Sequence, residues 1–180
     1  RLKDCIELLQ TLLRKENVVF DYTPGEIHFN NGYIDVKTKE FKRRTNKHFV
    51  TSYIEYDYKP ASEEDKKEFM NIMKQIYPKK KDRDLILYFF SNALTWEAVN
   101  CSYTLNLIGK GSTAKSTVMK AIQKAFSVYY NQLNPDTFNI TSQNYSKILN
   151  TYSAKPNILF SHINEPDNKR MDHNKYKAFA

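Results

Sequence analysis

The stretch LNLIGKGSTAKSTVMKAIQKAF, residues 105–126, constrains the fold of this chain more than any other part of it. An apolar run is followed by small and polar residues, then by apolar residues at helical spacing. That order reads as strand (103–108), loop (109–114) and helix (115–127). The loop follows the phosphate-binding pattern G-x-x-x-x-G-K-[ST], with Gly109, Lys115 and Ser116 in place and Thr117 next. Two of the four glycines in the chain, Gly109 and Gly111, fall inside it.

Each residue type has a physical reason. Small residues at Gly111, Ser112 and Thr113, after Lys110, let successive backbone N–H groups of the loop curl around phosphate oxygens. Lys115 reaches the β- and γ-phosphates of ATP, and the Ser116 hydroxyl is placed to ligate Mg²⁺. The helix directs its positive end at the same point. Ala114 departs from the pattern, standing where the second glycine is usual. If the position takes positive φ, alanine costs roughly 1 kcal/mol relative to glycine. The expectation is a weakened or reshaped loop that still binds. The competing reading is a polar turn that happens to contain Lys-Ser.

About 50 residues further on, KPNILFSHINEPD carries an apolar strand ending in Asn164 and Glu165. In phosphate-loop ATPases an acid closing a neighbouring strand orients Mg²⁺ and the attacking water. Glu165 suits that catalytic role beside Lys115. Asn164 holds a place where Asp is common and can contact metal-bound water. The alternative is that Asn-Glu-Pro-Asp is a surface turn.

Upstream, residues 1–15 have helical apolar spacing with one face expected to be buried. Runs at 18–20, 26–29, 33–36, 40–43 and 49–58, separated by turn residues, read as a small β-rich unit. Ser62, with Asp65 three residues on, caps a helix that Pro78 stops. A second helix, 84–94, is apolar nearly all round and reads as a core helix. The expected fold is an α+β N-terminal part followed by an incomplete α/β phosphate-loop domain with a parallel sheet. The divisions fall at 1–60, 61–100 and 101–180.

Net charge is +8, which favours a polyanionic partner such as DNA. A Lys- and Asn-rich composition of the AT-rich-genome kind inflates that charge. The basic runs 37–47 and 79–83 therefore read either as DNA-backbone contacts or as solvated faces. Phe69, Phe89 and Phe90 sit at helical core positions. His28, His48 and His173 lack metal spacing, and His162 reads as a strand-face residue. Cys5 and Cys101 form no framework. No apolar run is long enough to span a membrane. The start at Arg1 reads as a fragment of something longer.

With those residues in view, the order of segments resembles the poxvirus-type primase–helicases of large nucleocytoplasmic DNA viruses. Phe29, Asn31-Gly32, Ile34-Asp35, Lys37-Thr38, the aromatic run 49–54 and Asp57-Tyr58 resemble the segment upstream of their helicase. Residues 69–100 look like the helical segment that follows, and 171–179 like the helix leading to the third motif. The loop and Glu165 match the superfamily-3, AAA+ type core. The resemblance implies an ATP- and Mg²⁺-dependent replicative helicase on single-stranded or forked DNA, a homo-hexamer, in the host cytoplasm. Two other readings stay open: a non-catalytic oligomerisation or DNA-binding module with a degenerate loop, and a different phosphate-loop enzyme such as a nucleotide kinase.

Overall fold

In the computed structural model, residues 2–13, 18–96, 104–109, 114–165 and 171–179 are described. Strands β1 (Glu26–Phe29), β2 (Gly32–Asp35) and β3 (Glu40–Lys42) form an antiparallel meander. Opposed Ile27, Ile34 and Phe41 make one cross-strand apolar row. Asp35 shapes the β2–β3 turn by accepting the N–H groups of Lys37 and Thr38, both at 3.1 Å, and the Lys42 ammonium at 2.7 Å. The Lys42 bond first, then the Thr38 and Lys37 N–H groups, hold its carboxyl at about 2.

Residues 49–58 were expected to be a strand and are not one. Their backbone is satisfied by side chains instead of a ladder. Asp21 Oδ1 accepts the N–H groups of Thr51 and Ser52 at 2.6 and 2.8 Å. Asn31 grips Tyr58 on both sides, accepting its N–H at 2.9 Å and donating to its carbonyl at 3.1 Å. Asn30 donates to Asp57 at 2.8 Å. A single parallel bridge, Phe29 to Ile54, is what remains of strand pairing there. The 18–20 run likewise forms no strand.

Helix α1 (Leu2–Leu13) forms as the spacing requires, but Leu2, Ile6, Leu8 and Leu9 are exposed. Periodicity shows that an apolar face exists, not what covers it. Helix α2 (Glu63–Ile76) begins at the expected capping box, with Ser62 Oγ accepting the Asp65 N–H at 3.1 Å and the Ser62 N–H donating to Asp65 at 2.9 Å. Helix α3 (Lys80–Leu94) starts four residues earlier than expected. It is amphipathic, not buried all round: Ile86 and Ala93 are buried while Leu85 and Tyr88 are exposed. Phe69 is also exposed, against the expected core role, whereas the half-buried Phe90 packs on Phe160.

Helix α4 (Lys115–Phe126) leads through a short 3₁₀ turn into β4 (Tyr130–Leu133). After α5 (Asn144–Ala154), β5 (Phe160–Ile163) pairs with β4 in parallel, Tyr130 opposite Phe160 and Leu133 opposite Ile163. Leu133 and Ile163 pack with Phe138 and Ile148 and, from α6 (His173–Phe179), Tyr176. Phe160 lies against Phe126 and Phe90, so helices cover both faces of the parallel pair. The fold is mixed α/β, with a small antiparallel sheet and a short two-stranded parallel one.

A single cluster joins the two halves: Ile27, Phe29 and Ile54 pack with Tyr129, flanked by Leu94, Phe126, Val128 and Leu159. The outer edge of β1 is satisfied across this joint. The His28 N–H donates to Tyr129 Oη at 2.7 Å, and the His28 carbonyl accepts the Ile54 N–H at 3.0 Å. Burial pushes the Tyr129 phenol up to about 12. The His28 ring is 1% exposed. Its Nε2 lies 3.0 Å from a Glu26 carboxylate oxygen that can only accept, so Nε2 carries the proton and the buried Nδ1 has no partner. Burial, then the nearby His48 and Arg44 charges, lower the His28 pKa to about 4.

Two predictions follow from this joint. In the unfolded chain His28 binds a proton below its ordinary pKa of 6.5, whereas the folded chain does not until about 4. Its contribution is therefore complete above 6.5 and lost as pH falls from 6.5 to 4. Between pH 7 and 5 the loss is about 2 kcal/mol. Burial raises the Glu26 pKa, which acts in the opposite sense as the pH falls. Urea denaturation at the two pH values measures the difference, and a His28→Gln variant should flatten it. Tyr129→Phe leaves the buried His28 N–H unpaired and should cost about 1–3 kcal/mol in the same assay at pH 7.5.

Candidate nucleotide site

The phosphate-loop segment is described at its two ends; Lys110, Gly111, Ser112 and Thr113 lie outside the described residues. Residues 104–109 lead in. The strand was expected over 103–108, of which 104–108 are described; no ladder partner pairs with them among the described residues, and Ile108 is 93% exposed. An apolar strand pattern records the wish for neighbours, and the pairing itself depends on which segments lie alongside.

At the other end, Ala114 adopts φ 56°, ψ 11°, the left-handed conformation, and stands as the N-cap of α4. Its carbonyl accepts the Val118 N–H at 3.0 Å, the first turn of the helix. So the position does require positive φ, and alanine occupies it with a strain of roughly 1–2 kcal/mol. The first N–H groups of α4 have no acceptor within the helix. Ala114 has no side-chain oxygen to cap them, and no acid sits in the first turn. Such an uncapped helix start favours an anion.

The half-buried Lys115 folds back so that Nζ donates to the Gly109 carbonyl at 3.1 Å, spanning the loop from one end to the other. Ser116 and Thr117 are exposed at the same helix start. These residues fit a nucleotide phosphate with its Mg²⁺: a lysine, a hydroxyl and a helix start without a side-chain cap, with no competing carboxylate in the first turn.

The acidic side leaves β5. Asn164 and Glu165 directly follow Ile163, both exposed, with Glu165 at φ 50°. Helix α4 packs against β4 and leads into it through a three-residue turn. Asn164 and Glu165 emerge at the carboxyl end of β5, the edge at which ligands of open parallel sheets bind.

Several residues singled out by the sequence are engaged elsewhere. Buried Arg83 donates to the carbonyls of Tyr77 and Pro78, both at 2.7 Å, and so ties α2 to α3 rather than meeting a partner. Arg44 donates to the Phe29 carbonyl at 3.1 Å and lies over the Tyr53 ring. Lys175 spans the carbonyls of Asn139, Ile140 and Ser142. His162 is the strand-face residue its position indicates: its Nδ1 is 2.8 Å from Tyr130 Oη, and burial lowers its pKa. Cys5 is exposed, and Cys101 lies outside the described residues.

Sequence reasoning missed β4 and α5. Tyr130-Asn131-Gln132-Leu133 carries two amides, and α5 has weak apolar spacing. The signal available was the pair of aromatics, Tyr129-Tyr130, directly after a helix.

The strained Ala114 yields a direct test. Ala114→Gly should relieve the left-handed strain and raise stability by about 1 kcal/mol, or ~2–4 °C in Tm. Calorimetry of the two chains measures it, and an unchanged or lower Tm would contradict the conformation described.

Comparison with known proteins covers the N-terminal part. The family model "D5 N terminal like" matches residues 1–78, which take in α1, the antiparallel sheet and α2 up to Pro78. No curated protein matches the chain. Of the residues through which the family resemblance first appeared, Asn31 and Asp57 tie residues 57–58 to the β1–β2 turn and Asp35 shapes the β2–β3 turn; their work is structural. In its first 78 residues the chain is similar to the N-terminal region of D5-type viral primase–helicases, which is consistent with a DNA replication protein of that type.

Proposed function

We propose that this chain carries the pre-ATPase segment and the phosphate-loop part of a superfamily-3 replicative DNA helicase. In this reading the protein hydrolyses ATP with Mg²⁺, works as a homo-hexamer on single-stranded or forked DNA, and acts in the host cytoplasm. The observation that carries the proposal is the start of α4: a left-handed Ala114 followed by Lys115 and Ser116, behind a D5-like N-terminal segment.

Bound Mg²⁺ supplies charge neutralisation between the phosphates. The protein's own groups do the rest. Lys115 leaves the Gly109 carbonyl and offers its ammonium to the phosphate oxygens, exchanging one acceptor for a charged one. The first N–H groups of α4 hold the same phosphate without reorganising. Ser116 presents its hydroxyl, and Asn164 its amide. The Glu165 carboxylate accepts a hydrogen bond from the attacking water and fixes its approach.

Thermal melting with and without Mg·ATP tests this, for wild type and Lys115→Ala. Ligand at about 100 times its Kd stabilises by roughly 2.7 kcal/mol, which for a chain of this size is a rise of about 5–10 °C. The rise should appear in wild type and vanish in the variant. No rise in either would favour the second reading, a non-catalytic oligomerisation or DNA-binding module. That residues 104–108 have no ladder partner among the described residues is the observation that favours that second reading.

A further inference from the structure

Phe41, on the edge strand β3, is 41% exposed and stacks on Tyr58, with ring centroids 5.2 Å apart and planes 24° apart. The pair is held in place. Gly32 makes room for it: a Cβ there would lie 2.6 Å from the Phe41 ring and 2.4 Å from the Lys42 carbonyl. Tyr58 is fixed by both hydrogen bonds of Asn31 and packs on Phe29 at 5.2 Å. A large apolar ring is thus held in place and kept partly open to solvent.

The charge around it is one-signed. Residues 37–47 hold six Lys or Arg and one acid, Glu40. Lys42 is paired with Asp35 and Glu40, and Arg44 is engaged with Phe29 and Tyr53. Lys37, Lys39, Arg43 and Lys47 remain exposed, as does Lys59 beside Tyr58. The nearby Asp57 is bonded to Asn30. Exposed cations flanking a three-residue edge strand disfavour the pairing of a fourth strand. They attract a polyanion. A stacked aromatic beside them offers a flat apolar face to a base, and only an unpaired base has a free face to give.

We propose that this sheet edge is a contact site for single-stranded nucleic acid, with Phe41 on Tyr58 as the base platform and Lys39, Arg43 and Lys59 on the flanking phosphates. It is distinct from the nucleotide site and does not depend on ATP hydrolysis.

Fluorescence anisotropy of the whole chain with a labelled oligothymidylate of about 20 nucleotides tests it. Wild type should bind, more weakly as salt rises. Phe41→Ala should weaken binding roughly tenfold, and Phe41→Trp should restore it. Arg43→Glu should weaken binding and lower the salt dependence, while leaving the Mg·ATP melting shift where wild type has it. That separates failure of this site from failure of the ATPase reading. Affinity within about twofold of wild type for a folded Phe41→Ala overturns the platform. Equal affinity for a duplex of the same length overturns the single-strand preference. Should Phe41→Ala fail to fold, Arg43→Glu with Lys59→Glu decides, since both are exposed: unchanged affinity overturns the proposal. So does a change in self-association without a change in oligonucleotide affinity, which would make the edge a protein contact.

Discussion

The hydrogen bond from the His28 backbone N–H to Tyr129 Oη is the point on which the architecture turns. It closes the outer edge of the antiparallel sheet with a side chain from the start of the parallel pair. Around it Ile27, Phe29 and Ile54 meet Phe126, Val128 and Leu159 in one apolar cluster. The small sheet is therefore not an appendage. It is the floor on which α4 ends and β4 begins, and the Tyr56 hydroxyl, donating to the Ala125 carbonyl at 2.8 Å, adds a second tie at the same place. The orientation of α4, and with it Lys115, follows from that floor.

The antiparallel unit solves a second problem with side chains. A chain running beside an edge strand would ordinarily complete a ladder. Here Asp21, Asn30 and Asn31 take that role, and the segment they hold stays irregular. This explains why short polar residues recur at turns flanking apolar runs, in a region similar to D5-type proteins. They are substitutes for strand pairing, and they free the other edge, β3, to carry exposed charge and an aromatic pair.

At the nucleotide site, local strain and global topology meet. Ala114 accepts a left-handed conformation that glycine adopts without cost, and the gain is a helix start with its N–H groups uncapped. Strain of this kind persists only where the surroundings fix the backbone. The surroundings are α4, packed on β4, and β4, tied through Tyr129 to His28.

Much of this was legible from residue order. The capping box at Ser62, the stop at Pro78, the strands of the first sheet, the helix after the loop and the acid after the last strand all rest on interactions between residues close in sequence. Such interactions leave a local pattern. Other features left none. The ring of His28 is buried because Tyr129 closes over its strand from 101 residues away. Residues 49–58 look like a strand because they alternate, yet whether a strand pairs depends on what lies beside it. The face of α1 is apolar by pattern but exposed, and residues 104–108 have no ladder partner among the described residues, for the same reason. Arg83 reads as one of a basic run, and only the fold turns it inward onto the end of α2. The sequence by itself determined the local elements, such as the capping box at Ser62 and the helix that begins at Lys115, because short-range sterics and capping are written in neighbouring residues. Only the tertiary structure decided which edges are closed, which charges are spent and which rings stay open, because those depend on contacts between segments far apart in the chain.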